Sequence, residues 1–264
     1  MWLSNLNNVF VFLLGAVVGS FLNVCIHRLP REESIVWPSS RCPLCHKPIR
    51  WYDNIPIASM ILLKGRCRYC YGRISSRYLV VELLTAVSFL WIWLTFGLAI
   101  QTLVVALLFS LLFIATVVDL EHQIIPDEVS LGGLGAGIVL STVVPSLHGE
   151  TIWFKGSIAS LLGALVGGAV IYATGVVGKL VFRKEAMGGG DVKLLAMLGA
   201  FLGWKKVVFV YVLAPFFALP VGLFVKFVKR TEIIPFGPFL SLAGWIAFLW
   251  AEPILAWYWG GWFI

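Results

Sequence analysis

The chain has 264 residues, 60% of them hydrophobic and 12% charged, with a formal net charge of +7. Soluble domains average about 25% charged residues, so a water-soluble globule is excluded. The 12 Trp and 19 Phe suit a bilayer, and the long unbroken apolar runs exclude the short alternating strands of a membrane barrel.

The expected fold is an all-α polytopic membrane protein. About 20 apolar residues cross a bilayer. In chain order the apolar runs are 9–26, 79–96, 99–118, 129–144, 158–182, 192–204, 207–228 and 239–250, about eight transmembrane helices. The sixth and eighth runs are short. Pro215 and Pro220 are expected to kink or locally open the seventh. The first run follows a segment with no charged side chain, and Arg28 and Arg31 come after it. That pattern reads as an uncleaved first span with its N-terminus outside.

Between the first two runs lies a loop, 27–78, with ten Arg or Lys against three acids, a net +7 that equals the charge of the whole chain. A basic patch can bind nucleic acid. These charges flank membrane spans, so they read instead as a cytoplasmic loop touching anionic lipid, with no nucleic-acid partner. Segments 119–128, 183–191 and 229–238 then fall on the same side, and their bases include Arg183, Lys184, Lys229 and Arg230. Lys205 and Lys206 fall on the wrong side of this count.

The same loop carries Cys42-Pro43-Leu44-Cys45 and Cys67-Arg68-Tyr69-Cys70. Two such pairs about twenty residues apart fit a four-cysteine structural zinc site, because each tight turn offers two thiolates to one tetrahedral ion. A redox cysteine pair is the rival reading. It would normally be single and set in a thioredoxin-like unit. Cys25 reads as packing in the first span, and His46 is a weaker alternative ligand. The loop is long enough for a small folded module, giving two expected regions: 1–78 and 79–264.

Two aspartates stand at the ends of apolar runs on the cytoplasmic side. Asp119 closes the third run, at a helix C-terminus, where a carboxylate is electrostatically disfavoured. Asp191 follows Gly188-Gly189-Gly190. It also reads as the cap of the sixth helix, but three glycines exceed what a cap needs. They admit positive φ and close backbone approach, as an extended peptide beside the site would require. Asp127, after Pro126, reads as a helix N-cap. Glu121 and Glu185 are expected to face water. Two close carboxylates share one proton: the ionised one can deprotonate water while the neutral one polarises a carbonyl. The His residues are scattered and no HExxH metal motif occurs.

These blocks together resemble the type IV prepilin peptidases, which are bifunctional leader peptidases and N-methyltransferases. The resemblance rests on Gly19-Ser20-Phe21-Leu22-Asn23-Val24 with Arg28-Leu29-Pro30, and on the cysteine pairs with Asn54-Ile55-Pro56 and Gly65 between them. Ile74-Ser75-Ser76-Arg77-Tyr78 and Glu82 follow, then Asp119-Leu120-Glu121-His122 with Ile125-Pro126-Asp127, and Gly188-Gly189-Gly190-Asp191-Val192-Lys193. Leu79 stands where family members often have Pro.

The resemblance implies an inner-membrane aspartic endopeptidase with Asp119 and Asp191 as catalytic residues. It implies cleavage of the basic leader of prepilins or pseudopilins at the cytoplasmic face, commonly between Gly and Phe. Methylation of the new N-terminal amine from S-adenosylmethionine would follow, in support of type IV pilus or type II secretion assembly. Region 1–78 is similar to the methylation-associated part, and 79–264 to the peptidase. A basic leader would be repelled by the basic loop, so docking near Glu121, Asp127 and Glu128 is expected. The competing readings are a proton-coupled transporter and a presenilin-like intramembrane protease. The first lacks paired half-helices in matched halves; the second lacks a Tyr before Asp119, where Val118 stands.

Overall fold

The computed structural model describes residues 2–183, 187–229 and 234–260. Lys184, Glu185 and Arg230 lie outside the described residues. Among the described residues there is no strand, only two isolated bridges, Arg41 with Pro48 and Arg66 with Arg73. The helices are α1 (Trp2–Arg28), α2 (Ala58–Leu62), α3 (Arg77–Phe96), α4 (Ile100–His122), α5 (Asp127–Val143), α6 (Trp153–Phe182), α7 (Gly189–Leu202), α8 (Trp204–Lys229) and α9 (Gly237–Gly260).

Each apolar run became a helix, so the fold class stands. The span count is refined. Six described helices are long and apolar enough to cross a membrane. Helices α5 and α7, at 17 and 14 residues, are shorter than these six. The eighth run is not short: α9 has 24 residues and continues past Glu252 and through Pro253. Helix α8 likewise runs continuously through Pro215 and Pro220. Trp204 belongs to α8 because Gly203, at φ +79, ends α7. Large apolar side chains such as Leu165, Leu180, Phe216 and Phe224 stand exposed along these helices, as lipid contact demands.

The chain forms two compact units, Met1–Ser110 and Leu111–Ile264. In the first, α1 packs along α3. A Cβ on Gly15 would come within 2.8 Å of Ala86 Cα, and one on Gly19 within 2.8 Å of Glu82 Cα. Small residues four apart thus let the two backbones touch, the packing mode of membrane helices. The loop between them returns to α3 through a short 3₁₀ turn at Trp51–Asn54 and through α2.

In the second unit, α7 is the buried centre, its residues Leu194, Leu195 and Met197 to Leu202 all inaccessible. It packs on α5, α6, α8 and α9. Its contact with α6 is backbone to backbone. A Cβ on Gly199 would sit 2.0 Å from the Gly163 carbonyl oxygen, and one on Gly167 would sit 2.4 Å from that of Leu195. The C-terminal turn of α7 is held by side chains. Ser141 and Ser160 hydroxyls both donate to the Ala200 carbonyl, at 3.2 and 2.8 Å, and His148 Nε2 lies 2.9 Å from Ser141 Oγ. Lys206, the outlier in the charge count, donates to Glu252 Oε1 at 2.6 Å and so joins α8 to α9.

Gly199→Val forces α6 and α7 apart. It should lower unfolding stability by about 3 kcal/mol or more, read by thermal unfolding in detergent, whereas Gly135→Val, at a position with open space around it, should have little effect. Equal stability of the two variants would contradict this packing.

Candidate active site and metal centre

Three helix ends of the second unit meet around Ile125. Helix α4 closes with Gln123 in the left-handed region at φ 56, its N–H bonding the Asp119 carbonyl. The chain then turns through Ile125 into α5. A Cβ on Gly190, in the first turn of α7, would lie 3.1 Å from Ile125 Cβ, and one on Gly237, the first residue of α9, 3.2 Å from Ile125 Cδ1.

Asp119 lies in the last turn of α4, as read from sequence, and is only 5% exposed. Its Oδ2 accepts a hydrogen bond from the Gly237 N–H at 2.8 Å. The first amide of α9 therefore supplies the positive pole that the C-terminus of α4 denies the carboxylate. A Cβ at Gly237 would lie 2.7 Å from that oxygen, too close for any other residue. Gly237 was not identified from sequence. Its only signal is a glycine between Pro235 and Pro238 at the start of the last apolar run.

Asp191 does not cap α7. Gly188 occupies that position, with extended backbone, and Asp191 is the third helical residue. The Gly188 backbone hydrogen-bonds back to its carboxylate, half of a capping box. Asp191 lies outside the six spans. Burial first, and the charge of Asp119 second, push its carboxyl up to about 6. Asp191 therefore feels the charge of Asp119. None of Gly188, Gly189 and Gly190 takes positive φ. Gly188 and Gly189 are exposed, and among the described residues nothing lies within 4 Å of where a Gly189 Cβ would be.

Asp127 is a correction too. It is the first residue of α5, its side chain caps nothing, and its Oδ1 pairs with Lys193 Nζ at 2.6 Å. The pair ties the start of α5 to α7 on an exposed face. Glu121 and Glu128 are exposed.

In the first unit, Cys42, Cys45, Cys67 and Cys70 converge, their sulfurs all within 4.8 Å of one another. Cys42 and Cys70 sulfurs are 3.9 Å apart, Cys45 and Cys67 sulfurs 4.0 Å. Zinc–sulfur bonds of about 2.3 Å in a tetrahedron need sulfurs about 3.8 Å apart, so the cluster fits a four-coordinate metal ion. The two knuckles repeat one pattern. Cys42 N–H bonds Lys47 O and His46 N–H bonds Cys42 O; Cys67 N–H bonds Gly72 O and Tyr71 N–H bonds Cys67 O. His46 and Tyr71 are the left-handed turn residues of the two knuckles, and His46 is not in the cluster. Backbone hydrogen bonds involving Cys70 and Tyr69 pull the Cys67 thiol down to about 7. Against a backbone hydrogen bond involving Gly72, burial and the neighbouring cysteines push Cys70 up to about 11, so with no ion present the four thiols do not all ionise together. Arg68 fixes one knuckle to the Trp51–Asn54 turn through Asp53, its Nη2 2.6 Å from Oδ1 and its Nε 2.8 Å from Oδ2. Cys25 is buried in α1, apart from the cluster.

A bundle of lipid-facing helices with two coupled aspartates where helix ends meet defines a polytopic membrane protein with a dicarboxylate site. Residues 13–96 match the bacterial peptidase A24 N-terminal domain, and residues 106–223 match the type IV leader peptidase family. The chain is 36% identical over 276 residues to a prepilin leader peptidase/N-methyltransferase of Aeromonas salmonicida, across 94% of this chain and 92% of the relative. It is 35% identical over 268 residues to the protein of that name in Pseudomonas aeruginosa, across 92% and 90%. It is 37% identical over 252 residues to a type 4 prepilin-like proteins leader peptide-processing enzyme of Escherichia coli, across 87% and 89%. No solved structure matches the chain significantly. The chain belongs to the type IV leader peptidase family.

Two outcomes follow. Elemental analysis of purified protein should find about one zinc per chain, and free thiols with no metal would contradict a structural zinc site. Asp191 should also make stability depend on pH. A carboxyl raised from an unfolded value of about 3.9 favours the fold below that pH, and its contribution is lost as pH rises through about 6. Asp191→Asn removes that loss, so its unfolding temperature should rise relative to the native chain between about pH 4 and pH 7. A difference independent of pH would contradict the raised carboxyl.

Proposed function

We propose that this chain is a membrane aspartic endopeptidase that removes the leader of type IV prepilins or pseudopilins at the cytoplasmic face of the inner membrane. The observation that carries this reading is the influence of Asp119 on Asp191 at the junction of three helix ends. The dyad shares one proton, which belongs to the pair. The protonated member donates a hydrogen bond to the scissile carbonyl, and Asp191, raised by burial and by its neighbour, suits that part. Asp119, fixed by Gly237, takes a proton from the attacking water. Gly188, Gly189 and Gly190 position an extended peptide against the start of α7, the first two by their exposure and Gly190 by its close packing on Ile125. The basic leader docks near Glu121, Asp127 and Glu128, of which Asp127 also pairs with Lys193 and Glu121 lies 4.0 Å from His122.

After cleavage, the enzyme N-methylates the new N-terminal residue, with S-adenosylmethionine supplying the methyl group. The 1–78 region carries the methylation-associated part and 79–264 the peptidase. Zinc at Cys42, Cys45, Cys67 and Cys70 is structural, because four thiolates leave no open coordination position. The substrates place the enzyme in type IV pilus or type II secretion assembly.

Purified protein incubated with a prepilin should yield a leader and a mature chain, read by mass spectrometry. Asp119→Asn and Asp191→Asn should each lower the cleavage rate at least about a thousandfold, with insertion and zinc content unchanged. Normal processing by either variant would overturn the dyad.

A further inference from the structure

The first unit contains a cavity of about 530 Å³ between the membrane-proximal ends of α1 and α3 and the cysteine loop. That volume is in the range of small-molecule sites. Its wall holds two buried acceptors. Glu82 is 7% exposed. Its Oε2 accepts the Ile57 N–H at 2.7 Å, and its carboxylate also bonds the Ser20 hydroxyl. Both partners are neutral. Ile57 donates from a backbone at φ 62, a region that β-branched residues rarely enter. Strain of that kind persists only where the surroundings enforce it, and it clusters at ligand sites.

Asn23, one turn from Ser20 on α1, is 2% exposed. Its Nδ2 donates to the Tyr78 carbonyl at 3.0 Å, which fixes the amide orientation. Its Oδ1 has no partner among the described residues. A buried acceptor left unpaired costs about 1–3 kcal/mol, and Asn23 and Glu82 are both among the residues that line the cavity. An anionic and a neutral acceptor in one wall call for a ligand group that is positively charged and rich in N–H donors: an ammonium. The rest of the cavity wall includes Tyr69, Met60 and Ile49, aromatic and apolar surface for a flat ring, and the cations Arg28, Arg41, Lys47 and Arg68, which suit the carboxylate that accompanies such an ammonium.

We propose that this cavity is the S-adenosylmethionine site, with the α-ammonium of the cofactor held by Glu82 and Asn23. The proposal rests on the methyltransferase reading above. The size of the cavity, its unpaired acceptor and its apolar wall fit the cofactor. The dyad lies in the other unit, so the two sites can be disabled separately.

The test is direct binding to the full-length, zinc-loaded protein in detergent. Isothermal titration would use S-adenosylmethionine, S-adenosylhomocysteine and a peptide with a free N-terminal Phe. Glu82→Gln and Asn23→Ala should weaken both adenosyl ligands about tenfold or more, because both carry the α-ammonium, while prepilin cleavage stays at the native rate. Native-strength binding in both variants overturns the proposal. Loss for S-adenosylmethionine alone places the sulfonium at Glu82 and overturns the ammonium assignment. Loss of peptide binding alone shows that the cavity receives the acceptor amine, and also overturns it. Hydrogen exchange of the unmodified protein is independent of how the variants fold. S-adenosylmethionine should protect amides of 20–28 and 57–82, and protection confined to 111–264 contradicts the site. A native protein that cleaves prepilin but binds no S-adenosylmethionine defeats this inference and leaves the peptidase reading standing.

Discussion

The second unit depends on a contact with no side chains in it. Gly163 and Gly167 of α6 meet Gly199 and the Leu195 carbonyl of α7 backbone to backbone. Lipid offers no hydrophobic drive for helices to associate, so close packing has to hold them. This contact lets α7 be short and fully surrounded. Eight of its residues are buried, and its C-terminal carbonyl at Ala200 is satisfied by Ser141 and Ser160 from neighbouring helices. A short helix whose C-terminal half is buried on all sides has its N-terminal turn held in place, and that turn carries Asp191.

The same economy governs the carboxylates. Each is a costly group in an apolar protein, and each is held by a helix start. Asp191 sits in the first turn of α7 with the Gly188 backbone bonded to it, and Asp119 takes the first amide of α9. The position of Asp119 on α4 is electrostatically poor, and α9 offsets it. Gly237 makes that possible because no Cβ fits between the amide and Asp119 Oδ2. Structural and chemical demands thus coincide at one junction: the helix starts that stabilise the carboxylates also bring Asp191 within the influence of Asp119.

Much of this was legible in the sequence, because bilayer length and charge asymmetry act locally along the chain. All eight apolar runs became helices, and the spacing of the cysteines was enough to predict their convergence. The misreadings are where local signals met distant partners. The eighth apolar run stops at Trp250, yet α9 continues through Glu252 and Pro253, and Glu252 pairs with Lys206. Asp127 has the local pattern of a cap but bonds Lys193, 66 residues away. Gly237 lies 118 residues from the Asp119 it serves, and no periodicity or spacing in one sequence encodes such a pairing. Asn23 and Glu82 stood out only as parts of resembling blocks; their shared cavity appears once α1 and α3 are packed.

The central claim is that Asp119 and Asp191 are one chemical unit. A double-mutant cycle on cleavage rate tests this most directly. The account predicts that Asp119→Asn with Asp191→Asn together cleaves a prepilin no more slowly than either single variant, because a dyad that has lost one member has already lost the shared proton. Losses that multiply in the double variant would show two independent groups and contradict the account.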